Sequence, residues 1–352
     1  MNGRNAHPAS PRRTSVDPTG GPRRRWWVAV AVLLLATVTG CSAVALPQPS
    51  PRPTSEVVPV LAGSQLDTIL DRIVKGIAVA DGRRDTELLA QYADGTVMST
   101  RAARYEMLTK NPTLPGPTPV GGELLQAAVP TASDWPRSVL VVTRDGEADP
   151  LPELLVLTQR TPRAPYLLSA VMSMQPGATM PRTAPIRQGV TVRGIEDSTG
   201  VAMAPRQALD FYAAVLGQAG PPGADRMAGS RLTDQIVGQQ EDIRKRLTVD
   251  CAGCFEVTFS DHSTGVLWAF DDADGGTIVL GELAQDLTLV AHEGYQQPLP
   301  EDAQALSGIS TVTKQMTQTR LILVALAIPA ATSQEQIQVV AGQDWVTSVT
   351  AS

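Results

Sequence analysis

The chain has 352 residues, of which 43% are hydrophobic and 18% charged, a balance that builds a buried core and excludes a disordered polyelectrolyte. Aromatic residues make up only 4%, so that core must come from Leu, Val, Ile and Ala. The first 25 residues hold six arginines against one aspartate, so a formal charge of −6 for the whole becomes −11 beyond them; an acidic body of that kind repels phosphate backbones and excludes nucleic acid as a partner.

Arg23-Arg24-Arg25 precede an apolar run of 13 residues, Trp26 to Val38. A bilayer-spanning helix needs about 20, so the run has the length of a secretory signal core rather than a membrane span. The cleavage region Val38-Thr39-Gly40-Cys41 resembles the lipobox of bacterial lipoproteins. That resemblance implies a signal peptide over 1–40, removal of it by the general export route, and acyl chains on Cys41 as the mature first residue. The expected address is the outer face of the cell membrane, with the lipid anchor as the membrane contact. Residues 41–63 follow as a tether with prolines at 47, 49, 51, 53 and 59; in polyproline II, at about 3.1 Å per residue, such a segment reaches on the order of 50 Å.

From Ser64 the apolar residues Leu66, Ile69, Leu70, Ile73, Val74 and Ile77 form one helical stripe, with Ser64 and Asp67 as a capping pair and Gly82 as the stop. A short helix burying Leu88 and Leu89 is expected after Asp85, and a third over about 100–109. The period then changes to strands at 123–129, 138–143, 154–159 and 166–174. A Pro- and Gly-rich linker covers 186–204. Helices return over 205–217 and 231–247, then strands at 255–260, 266–270, 277–290, 320–328, 337–341 and 345–349. The chain therefore reads as α+β: two tandem units, 64–185 and 205–352, each with helices packed on a curved antiparallel sheet.

The segments Trp135-Pro136-Arg137-Ser138-Val139-Leu140-Val141-Val142-Thr143, Leu154 to Gln159 continuing to Pro165-Tyr166, and Pro176-Gly177-Ala178-Thr179-Met180-Pro181 resemble an uncharacterised family of actinobacterial lipoproteins. The helix-then-sheet units are also similar to the nuclear-transport-factor and cystatin folds. These resemblances imply an address and a fold, and no catalytic residues.

Cys251-Ala252-Gly253-Cys254 is the sharpest local motif, open to three readings: a structural disulfide, a redox pair or half a metal site. A helix ends before Cys251 and a strand begins after Cys254, the reverse of the helix-starting position that lowers a reactive thiol's pKa, which favours the structural disulfide. A metal site would have to recruit Asp261 and His262, too few ligands at the wrong spacing, so no metal is expected. No serine-hydrolase elbow, zinc-protease helix, phosphate loop or cofactor fingerprint occurs, so no catalytic residue and no cofactor is assigned. Thr311 to Lys314 has only superficial likeness to a penicillin-binding motif, and the acidic pairs Asp271-Asp272 and Glu301-Asp302 suit turns. Trp135, Trp268 and Trp345 are candidates for a sugar-stacking platform, against the sheet packing usual for strand aromatics. Arg101, Arg104 and Tyr105 either line a cup mouth or form a solvated helix face. The expectation is a non-catalytic binding or scaffolding protein of the cell envelope whose partner is an envelope protein or a small apolar ligand. The alternatives are a thiol-disulfide exchanger, a hydrolase or a small-molecule receptor.

Overall fold

The computed structural model describes residues 58–131, 134–146, 151–217 and 220–352; the signal, Cys41 and the tether up to residue 57 lie outside the described residues. Helix α1 (Gly63–Arg83) buries Leu66, Leu70, Ile73 and Ile77 of the expected stripe, and Ala80, while Ile69 and Val74 are half-buried at its edge. Its start differs from the Ser64 and Asp67 pair: Ala62 is the N-cap, and its N–H donates to Gln65 Oε1 at 2.9 Å. Gly82 lies inside the helix, and Arg84, in the left-handed region at φ 54°, ends it. Asp85 caps α2 (Thr86–Leu89) by accepting from the Leu88 N–H at 2.9 Å. Helix α3 (Gly95–Lys110) begins five residues before the expected start.

Strands β1 (Glu123–Ala128), β2 (Arg137–Arg144), β3 (Glu153–Gln159) and β4 (Leu167–Ser173) form an antiparallel sheet in chain order. The second half repeats helices then sheet: α4 (Pro205–Gly217), α5 (Arg231–Arg244), then β5 (Phe255–Asp271), β6 (Thr277–Ala291), β7 (Gln297–Pro298), α6 (Glu301–Ser307), β8 (Thr311–Val312), β9 (Gln315–Ile328) and β10 (Gln338–Ala351). Its main sheet has the order β10-β9-β6-β5, all antiparallel. The fold class is α+β.

How the sheets meet follows from the side-chain period of two. Leu154, Leu155, Val156 and Leu157 are all at 0% exposure, which a half-solvated strand cannot give. Leu155 and Leu157, with Val139 and Val141, face α1 and α2. Leu154 and Val156, with Leu140, Val142 and Met172, face Phe270, Ile278, Leu280 and Leu323 of the other sheet. The opposite face of that second sheet, through Val279, Leu283, Ile322 and Val324, carries Leu209, Tyr212, Leu232 and Ile236 of α4 and α5. The order of layers is helix, sheet, sheet, helix. At about 1.5–3 kcal/mol for each fully buried aliphatic side chain, the layer between the sheets is a main source of stability. The outer helices approach closely because of two glycines: a Cβ at Gly281 would sit 2.5 Å from Leu209, and one at Gly342 2.3 Å from Leu232.

The tandem halves thus share a core, and the described residues form one compact unit. Residues 190–193, within the expected linker, stitch the two sheets: the Val190 N–H donates to Val129 O at 2.8 Å and the Arg193 N–H to Ala269 O at 3.0 Å. Helix α3 also crosses between halves, touching β4, α6 and β10. There the Thr96 hydroxyl donates to the buried Glu282 carboxylate, and Asn111 Nδ2 donates to Glu301 Oε2 at 3.0 Å.

Candidate functional site: a cleft between the sheets

The apolar layer between the sheets changes character at the start of β2 and the end of β3. Ser138 and Thr158 pair in register on the same face as Leu140 and Val156, and their hydroxyls lie 3.0 Å apart. Opposite them β5 bulges. Ser263 pairs with Leu283 and Leu267 with Gly281, so 264–266 oppose Glu282 alone, with Gly265 at φ 87°. A bulge re-aims the residues beside it. Val266, Leu267, Trp268 and Phe270 then form one wall of a cleft of about 750 Å³.

Charged residues come from three other places. Asp94 is the N-cap residue of α3 by position, but its carboxylate does not cap the helix. Instead Oδ1 accepts from the Ser169 hydroxyl at 2.6 Å and Oδ2 from Arg160 Nε at 2.9 Å. Ser169 is itself the extra residue of a bulge in β4, between partners Leu168 and Ala170. Arg193 donates through Nε to Asp271 at 2.7 Å and through Nη1 to Thr199 O at 2.8 Å. The Arg137 guanidinium stacks 3.6 Å from the centroid of the Trp135 ring, which is 38% exposed. Arg137, Arg160, Arg193, Asp94 and Asp134 all line the cleft, with Arg160 and Arg193 already paired to carboxylates. With Asp271 behind Arg193, three arginines stand against three aspartates, so the site is close to electroneutral. Behind it, burial pushes the Tyr166 hydroxyl above the usual tyrosine range while nearby Arg137 opposes the shift.

Of the tryptophans, Trp268 lines the cleft, Trp135 carries the stacked arginine, and Trp345 packs into the layer between the sheets. Arg101 and Tyr105 do neither thing expected of them: both are buried, and both hold Asp81 of α1, Tyr105 with a hydroxyl bond of 2.6 Å. Asp271 pairs with Arg193, Asp272 accepts from the Asp274 and Gly276 N–H groups in a hairpin turn, and Glu301-Asp302 form the first turn of α6. Thr311 lies in the short strand β8, paired to β7.

Cys251 and Cys254 are joined, with Cα atoms 5.5 Å apart, between the π-helical turn that ends the α5 segment and the start of β5. Cys254 is 2% exposed. Asp261 turns toward Gly217 at the end of α4 and accepts from Gln285 Nε2 at 2.8 Å. His262 is exposed, and His292 stands 3.7 Å from Glu256 at the surface. Among the described residues no group of three or more His, Cys, Asp or Glu side chains is placed to hold a metal ion, and no helix is long and apolar enough to cross a membrane.

The cleft residues Asp94, Ser138, Thr158, Arg160, Ser169 and Arg193 carry no local motif; the one sequence signal near them is Trp135-Pro136-Arg137-Ser138, at the mouth. Comparison with curated proteins and with solved structures finds no match. A family model, a domain of unknown function termed DUF8094, matches residues 57–350, from the edge of the described body through both halves and the cleft between them. The chain belongs to the DUF8094 family.

Proposed function

We propose that the protein is a lipid-anchored, extracytoplasmic binding protein of the bacterial cell envelope, without catalysis of its own, that takes a small ligand into the cleft between its sheets. The cleft carries this reading. Its volume of about 750 Å³ falls within the 300–1,000 Å³ usual for small-molecule sites, and it combines an apolar wall with a few oriented polar groups. The address is supported by Val38-Thr39-Gly40-Cys41, the Pro-rich tether and the resemblance to actinobacterial lipoproteins. A body of charge −11 is repelled by anionic lipid, so its membrane contact is the acylated Cys41 and not a broad surface. Thiol exchange is less well supported: Cys254 is buried, and its carbonyl accepts from the His292 N–H at 2.9 Å in the structure leading into β5.

Two experiments test the reading. Cys41→Ala should release the protein from membranes of its host or stall its processing; unchanged membrane retention contradicts the anchor. Native mass spectrometry of protein taken gently from those membranes should reveal a bound small molecule that is lost on Trp268→Ala. A ligand-free protein whose cleft amides exchange at the same rate with and without host envelope extract contradicts the cleft.

A further inference from the structure

The chemistry of the cleft wall narrows the ligand class. We infer that the cleft is built for a neutral carbohydrate, an inference that rests on the binding reading above. Three observations carry it. The three arginines of the wall are matched in number by Asp94, Asp134 and, behind the lining, Asp271, and two of them are held in ion pairs, Arg160 with Asp94 and Arg193 with Asp271. A wall so balanced presents little net field to attract an anion. It still offers what a polyol needs, because a guanidinium has five N–H donors and a carboxylate about four acceptor positions, more than one pairing uses. The Ser138 and Thr158 hydroxyls, 3.0 Å apart, each donate and accept, the same dual capacity as a sugar hydroxyl. Trp268 on β5 supplies an aromatic face in the cleft, and Val192 at the rim is 44% exposed, so apolar surface is available for the C–H face of a pyranose or furanose ring.

The competing classes fit less well. An acyl chain would desolvate Asp94 and Asp134 along the wall without offering either a hydrogen bond. An organic anion or phosphate ester would meet Asp94 and Asp134 as well as the arginines, two of them already paired to carboxylates, on a body already acidic.

The test uses the intact protein in detergent, probed by saturation-transfer NMR and calorimetry. The probes are short neutral oligosaccharides of hexoses, pentoses and N-acetylhexosamines, with lysophospholipid, a fatty acid and a sugar phosphate beside them. At least one neutral oligosaccharide should bind, change tryptophan fluorescence, and hold its affinity as salt is raised, since no net charge is neutralised. Asp94→Asn, which keeps size and one acceptor, should weaken it about tenfold or more with the melting temperature little changed. Thr158→Val, isosteric at the wall, is the second variant and should also weaken it. If only the lipid probes or the sugar phosphate bind, with the cleft protected from exchange, the carbohydrate assignment is overturned and the binding reading survives. If no probe of any class binds or protects the cleft, both fall.

Discussion

Replacing Leu154 with Ala tests whether the two halves stand on one core. Leu154 is at 0% exposure in β3, flanked in register by Val142 and Met172, and belongs to the layer that includes Phe270, Leu280 and Leu323 of the second sheet. Neighbours on both sides and a sheet opposite leave the site little room to collapse, so the cost should sit in the upper part of the range for buried Leu→Ala, about 4 kcal/mol. For large single domains each kcal/mol lowers Tm by roughly 2–4 °C, so a fall of about 8 °C or more is expected. Calorimetry should show one transition shifted as a whole. Hydrogen exchange followed by mass spectrometry should find faster opening in β6 and β9 as well as in β2 to β4. A split transition, or faster exchange confined to residues before the linker, would refute the shared core.

Further outcomes follow from the buried polar groups and the disulfide. Arg101→Met leaves the Asp81 carboxylate without its cation and Thr118 O without its donor, at side-chain exposures of 7% and 14% for the pair, and should cost about 3–5 kcal/mol in a denaturant titration. A loss under about 1 kcal/mol would mean the pair is solvated. Burial raises the Asp261 carboxyl above its usual range, against the bond from Gln285 and the nearby Gln240 amide. A raised folded pKa means the group's contribution is full below the unfolded carboxyl range, near pH 4, and is lost as pH rises through the folded value. Asp261→Asn should therefore stabilise the protein at neutral pH and leave it unchanged near pH 3; the opposite pattern would mean the carboxylate is stabilised by its surroundings. Cys251→Ser opens a ring of four residues and should lower stability by only about 2 kcal/mol while leaving ligand binding intact, which calorimetry on reduced and oxidised protein would confirm or exclude.

The elements that sequence made legible are those with one clean period. The stripe of α1 and the aliphatic runs of β2 and β3 could be read directly, and so could the change from helix to strand on either side of Cys251 and Cys254. The first turn of helix α3 lies before the expected start because the face it buries is largely polar, Thr96, Thr100 and Arg101 beside Val97, Tyr105 and Leu108, so it shows no apolar stripe although β4, α6 and β10 all meet the helix. The same enclosure explains why Arg101 and Tyr105 lie against Asp81 and not in a cup mouth. Strand β5 reads as two pieces because Thr264-Gly265 has the composition of a turn and is in fact a bulge. Strand β10 reads as two because Gly342 looks like a break, although its missing side chain is what admits Leu232. The unbroken run Leu154 to Leu157 reads as a strand, but nothing in it says that a second sheet covers the face turned away from the helices. For the same reason the cleft was illegible: residues 94, 137, 160, 193 and 268 meet only because the halves share a layer.

The most direct test of the cleft as a ligand site is a crystal structure of the protein with a bound neutral oligosaccharide. The ring of one sugar should lie on Trp268, with its hydroxyls shared among Asp94, Arg160, Ser138 and Thr158. A cleft filled by the protein's own side chains, or a sugar seated on another face with Trp268 untouched, would contradict it.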